Sequence, residues 1–97
     1  MFVGALEIDL YIRESNTLKD KRQIFRRIID RTRNRFNAAV AEVGDVDSVK
    51  NGGIAVSCVG NSEYKVREMM AEIERAIISW GAEAEIVSCR RHVFCPE

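Results

Sequence analysis

The sequence predicts a two-layer α+β domain with the element order β-α-β-β-α-β, and three observations carry that reading. Residues 2–13 place a small or apolar side chain at every second position from Phe2 to Ile12, the period of a half-buried strand. Two stretches, opening near Leu18 and Val66, switch to apolar residues three and four apart, the period of an amphipathic helix. Short runs rich in Ala, Val and Ile, at 38–43, 54–59 and 83–90, are bounded by Gly, Asn, Asp and Ser and read as the remaining strands. A chain of 97 residues has material for one core, so residues 1–97 are read as a single domain, with 90–97 as a frayed tail.

In the first strand, Phe2, Gly4, Leu6, Ile8, Leu10 and Ile12 point inward and Val3, Ala5, Glu7, Asp9, Tyr11 and Arg13 outward. Ser15-Asn16-Thr17 breaks the pattern, with Thr17 as N-cap and Asp20 in the capping-box position. The first helix then places Leu18, Phe25, Ile28, Ile29, Thr32 and Phe36 on one stripe. Lys19, Arg22, Arg26 and Arg33 form a flank, and Arg27 and Arg31 occupy the back. A second strand at 38–43 leads into a polar loop from Gly44 to Gly53, in which Asp45 and Asp47 read as turn residues. The third strand turns Ile54, Val56 and Cys58 inward and Ala55, Ser57 and Val59 outward. Asn61-Ser62 caps a second helix whose inner positions are Val66, Met69, Met70, Ile73, Ile77 and Trp80, with Gly81 as its C′ residue.

Two right-handed β-α-β crossovers predict that the first and third strands are parallel neighbours. The sheet is expected in the order 4-1-3-2, antiparallel overall, with both helices on one face. This is the ferredoxin-like sandwich, and it leaves the other sheet face bare.

Formal charge is zero, but it is unevenly spread. Residues 13–35 hold nine basic residues against Glu14, Asp20 and Asp30, a net +6 that the rest of the chain balances with −6. Such a segment suits a polyanion. Lys19, Lys21, Arg22, Arg26 and Arg33 are accordingly the candidate nucleic-acid contacts. The bare sheet face offers Glu7 and Asp9 among few rings, a poor platform for stacked bases. Its Val3, Ala5, Tyr11, Ala55 and Val59, with Val87, are instead the candidate dimer interface.

Other classes find little support. No apolar run approaches the roughly 20 residues of a membrane span. The opening residues lack a basic n-region, and three cysteines make an odd count without framework spacing. A cytoplasmic protein is expected. Cys89, His92 and Cys95 fall at three-residue spacing, but Cys89 and His92 face opposite sides of an extended strand, and nothing brings Cys58 to them. No metal and no cofactor are therefore expected. With one histidine, no nucleophile at motif spacing, no Walker loop and no G-x-G-x-x-G, no enzymatic role is expected either.

The segment Thr17-Leu18-Lys19-Asp20-Lys21-Arg22 resembles the Ser-Leu-Lys-Glu-Lys-Arg signature of the YlxP-like family of small bacterial proteins. The resemblance continues through Arg35-Phe36-Asn37, Val40-Ala41-Glu42-Val43 and Ile54-Ala55-Val56-Ser57-Cys58-Val59 to Asn61-Ser62, covering roughly residues 2–80. It implies a ferredoxin-like fold. It also implies a link to RNA or ribosomes, because the family's genes often lie among those for transcription and translation factors. The chain departs from the family near Asp47–Asn51, where a Trp-Gln pair is absent, and from Cys89 to Glu97. Two functional readings follow: a non-enzymatic domain docking structured RNA or the ribosome through its first helix, and a homodimeric interaction module without a nucleic-acid role.

Overall fold

The alternating N-terminal segment forms β1 (Phe2–Tyr11), the basic segment α1 (Leu18–Arg35), and β2 (Ala39–Val43), β3 (Asn51–Gly60), α2 (Glu63–Trp80) and β4 (Glu85–Phe94) complete the ferredoxin-like order. The structure is a computed structural model describing residues 1–80 and 83–96. The sequence-predicted cap at Gly81 lies outside the described residues. The sheet order is β2-β3-β1-β4, which is the expected order read from the other edge. Both helices pack on one face, α2 against β1, β3 and β4, and α1 against β2 and α2.

One expectation is corrected. β1 and β3 are antiparallel, not parallel, with Phe2 opposite Gly60 and Tyr11 opposite Asn51. Each crossover carries the chain past one vacant position, so β1 is parallel to β2 at a distance. The chain then hairpins from β2 into the gap as β3, running against both. Strand limits also shift. β3 begins at Asn51, so the connecting loop ends at Lys50 and not at Gly53. β4 continues to Phe94, paired with Val3, and residues 90–94 are strand and not frayed tail. That extension follows from β1, whose edge from Val3 to Tyr11 offers β4 a full-length partner.

The core is the predicted inner face of the sheet, with Leu6, Ile8, Leu10, Ile12, Ile54, Val56 and Cys58 meeting Ile24, Phe25 and Ile28 of α1 and Val66, Met70, Ile73 and Ile77 of α2. Each such side chain contributes about 1.5–3 kcal/mol on burial. Met69 and Trp80 are only partly buried against this cluster, while Ala76 takes an inner position. α2 sits directly on Gly4, where a Cβ would lie 2.7 Å from Val66 Cγ1 and 2.8 Å from Met70 Sδ.

The helix starts are capped as predicted. Thr17 Oγ1 accepts from the Asp20 N–H at 3.0 Å, and Asp20 Oδ2 accepts from the Asn16 N–H at 3.1 Å. Ser62 Oγ accepts from the Lys65 N–H. Among the described residues no helix is long and apolar enough to cross a membrane.

Candidate nucleic-acid interface

α1 owes its orientation to the residues it buries. Lys21, Ile24, Phe25, Ile28 and Thr32 stand at i, i+3, i+4, i+7 and i+11 and face the sheet. Lys21 is thus not a surface contact, contrary to the sequence-based expectation. It is 1% exposed. Its Nζ donates to the Asp45 and Ser48 carbonyl oxygens, each at 2.8 Å, and lies 3.8 Å from a Glu42 carboxylate oxygen. The Phe25 ring stands 5.6 Å from the ammonium. A buried ammonium needs partners for its protons, and the loop carbonyls supply them. Lys50 repeats the device, donating to Arg13 O and Ser15 O, while Ser15 Oγ donates to Val49 O. Asp45 Oδ1 accepts from the Asp47 and Ser48 N–H groups, which makes it the predicted turn residue.

The remaining four predicted contacts, Lys19, Arg22, Arg26 and Arg33, are exposed. At 100° per residue they fall within an arc of about 60°, along a strip of about 21 Å. Among the described residues none of the four is in an ion pair; of the α1 cations only Lys21, with Glu42, and Arg27, with Glu83, have carboxylate partners. Arg33 instead donates through Nη2 to the Val40 carbonyl at 2.7 Å, which fixes its guanidinium beside the edge strand β2. Arg22, Arg26 and Arg33 then line one wall of an open groove of about 510 Å³, with Ala41 and Glu42 of β2 on the other wall and Asp30 on the helix.

The bare sheet face is organised in cross-strand rows. Val59, Val3 and Phe94 form an apolar row at one end; Ala5 lies between Ser57 and His92; Ala55, Glu7 and Arg90 follow. Asp9 is flanked by Gly53 and Ser88, and Tyr11 by Asn51 and Glu85 at the far end. Of the predicted interface residues, Val59 and Val87 are each 64% exposed, and Val3, Ala5, Tyr11 and Ala55 are half-buried. Val87 sits where the β1–β4 register shifts. Phe94, 50% exposed, belongs to this face and was hidden by reading the tail as frayed.

Positive charge on this face is neutralised. Arg90 donates from Nη2 to Glu7 at 2.7 Å and from Nη1 to Asp9 at 2.9 Å, and the Ser88 hydroxyl donates to Asp9 at 2.7 Å. These hydrogen bonds, from Arg90 first and Ser88 second, hold the Asp9 carboxyl below its ordinary range, and the two carboxylates push the Arg90 guanidinium's pKa up. This trio needed the β1–β4 register, which spacing within one segment does not reveal. Toward α2, Arg91 pairs with Glu74.

Cys89 stands opposite Ile8 on the helix side and His92 opposite Ala5 on the bare face, as strand alternation requires. Cys58 is buried on the helix side. No cluster able to hold a metal ion occurs among the described residues.

Solved structures of similar shape include a de novo designed protein with a ferredoxin fold, at TM-score 0.58 and 16% identity, covering 99% of this chain and 88% of that one. The designed protein Foldit4 matches at TM-score 0.54 and 12% identity over the whole of both chains. At these identities the likeness concerns fold alone. In sequence, the chain is similar to the uncharacterized protein YlxP of Bacillus subtilis (strain 168), 29% identical over 85 residues, covering 77% of this chain and 92% of the relative. A family model described as "Protein of unknown function (DUF503)" matches residues 3–91, reaching past α2 into the part of β4 that the sequence reading set apart. With the signature at the start of α1 carried by that match, the chain belongs to the DUF503 family.

Proposed function

We propose that this chain is a non-enzymatic RNA-binding domain, docking structured RNA, the ribosome included, through the Lys19–Arg22–Arg26–Arg33 flank of α1. One observation carries the reading: these four cations are exposed on a single strip and free of carboxylate partners among the described residues, whereas Arg90 on the sheet face is neutralised by Glu7 and Asp9. A helix face that only needed solubility would be served by i,i+4 pairs such as Glu63 with Arg67 on α2. Arg33 adds preorganisation, since its bond to Val40 holds its guanidinium in the groove lining. Three or four neutralised phosphates give a salt slope of about −2 to −4. The Arg22→Glu/Arg26→Glu variant, whose fold is checked by circular dichroism, loses binding to structured RNA in about 100 mM salt. Unchanged binding, or none by the parent protein, overturns the reading.

A second reading, compatible with the first, is self-association through the bare sheet face. It is favoured by the exposed row of Val59, Val3 and Phe94, an apolar end on a face whose middle carries Ala5, Ala55 and the internally paired Glu7, Asp9 and Arg90. Val59→Asp converts a dimer to a monomer in sedimentation. A parent protein that is monomeric at high micromolar concentration removes this reading.

A further inference from the structure

We infer that the α1 strip recognises double-helical RNA through its backbone, without regard to sequence; this rests on the RNA-binding reading above. Single-stranded RNA is captured by stacking unpaired bases on exposed rings, and stacking supplies much of the affinity. Among the described residues no exposed ring lines the strip's groove; Phe36, at the end of α1, is partly buried against the core with Arg35 over its face. The aromatic side chain lining its groove is Phe25, which is 1% exposed and packed in the core. The rings on the sheet face, Tyr11 and Phe94, lie at opposite ends of that face, about 26 Å apart by strand rise. Glu7 and Asp9 stand between them, where they repel a phosphate chain.

What remains is a row of cations carried on an anchored helix. Arg22 and Arg26 are one helical turn apart, about 6 Å along the axis. Arg33 is pinned by Val40, and α1 itself is fixed by Lys21 to the β2–β3 loop. A duplex presents its phosphates in a rigid row, so the ordering on contact falls on the Lys19, Arg22 and Arg26 side chains and not on the nucleic acid. A flexible single strand would be ordered along the strip with no stacking energy to offset that cost. The deep, narrow major groove of an A-form duplex keeps base edges out of side-chain reach, so contacts go to phosphate and ribose.

The test compares three ligands in about 100 mM salt: a blunt RNA duplex of about 16 base pairs, the length a shape-reading domain spans, one of its strands alone, and a DNA duplex of the same sequence. Expected is binding of the RNA duplex at least tenfold tighter than the single strand, unchanged when the duplex sequence is scrambled, and lost in Arg22→Glu/Arg26→Glu. Equal or tighter binding of the single strand, itself abolished in that variant, overturns the duplex inference and leaves the RNA-binding reading standing. Equal or tighter binding of the DNA duplex overturns the choice of RNA as the duplex. Absence of binding to both RNAs overturns inference and reading together.

Discussion

The Nζ of Lys21 lies 2.8 Å from the carbonyl oxygen of Ser48, 27 positions further along the chain. That contact, doubled by the one to Asp45, makes a lysine from the middle of a basic segment the clamp between α1 and the loop joining β2 to β3. Lys21→Met strands two carbonyls and removes the counter-charge of Glu42. The expected loss is about 2–4 kcal/mol, a fall in Tm of about 10–25 °C, read by thermal circular dichroism. A Tm within a degree of the parent, combined with weaker RNA binding, would return Lys21 to the surface role that its charge suggests.

Gly52 adjoins the same clamp. A Cβ there would stand 2.7 Å from Cζ and 2.9 Å from Cε2 of Phe25, and 3.0 Å from Cε of Lys21. Gly52→Ala is expected to cost about 1–3 kcal/mol by overpacking. Because the two shortest contacts are to one ring, the double variant Gly52→Ala/Phe25→Leu is less destabilised than the sum of the two single changes. Strict additivity in urea titrations would show that the ring is not what Gly52 accommodates.

Asp9 gives the fold a dependence on acid. Its folded pKa is depressed by the Arg90 and Ser88 hydrogen bonds from an ordinary value of 3.8. The stabilisation it contributes is therefore complete above that ordinary value and disappears as pH falls through the lower, folded one. Asp9→Asn is expected to lower Tm by a few degrees at pH 7, the modest size reflecting how exposed the pair is. The parent and variant curves should converge well below pH 3.8. A Tm difference that persists unchanged into acid contradicts this account.

The three thiols are graded by position. Cys95 is exposed; Cys89 is half-buried, with its pKa raised by burial and then by the Glu74 carboxylate; Cys58 is buried and raised by burial alone. Alkylation of the native protein by iodoacetamide, followed by mass spectrometry, is expected to modify Cys95 first, Cys89 more slowly and Cys58 only on unfolding. Alkylation of Cys58 at the rate of Cys95 would mean that the β3–α2 packing around it opens readily.

Sequence made the element order and sheet order legible because both rest on local periodicity: β1 alternates over its whole length, and the two helical stripes are unambiguous. Strand direction at β1 and β3 is not legible from the crossover rule alone, because the right-handed crossover relates strands separated by a gap and not the neighbours in the sheet. Lys21 shows a different failure. Its spacing to Ile24, Phe25 and Ile28 put it on the buried stripe, yet its charge assigned it to solvent, and position was the better guide. Lys19, Arg22, Arg26 and Arg33 obeyed both charge and spacing and stayed exposed. The Glu7–Arg90–Asp9 trio was out of reach, since it joins residues more than 80 positions apart through a register that slips at Val87.

The two margins of the sheet are unequal. β2 is a five-residue edge strand with one of its acceptors, Val40 O, taken by Arg33, while β4 at the other edge runs ten residues. Adding strand to strand indefinitely requires a receptive margin at both ends of every copy. The short, partly occupied margin at β2 is therefore the one that works against open-ended growth, whatever β4 accepts.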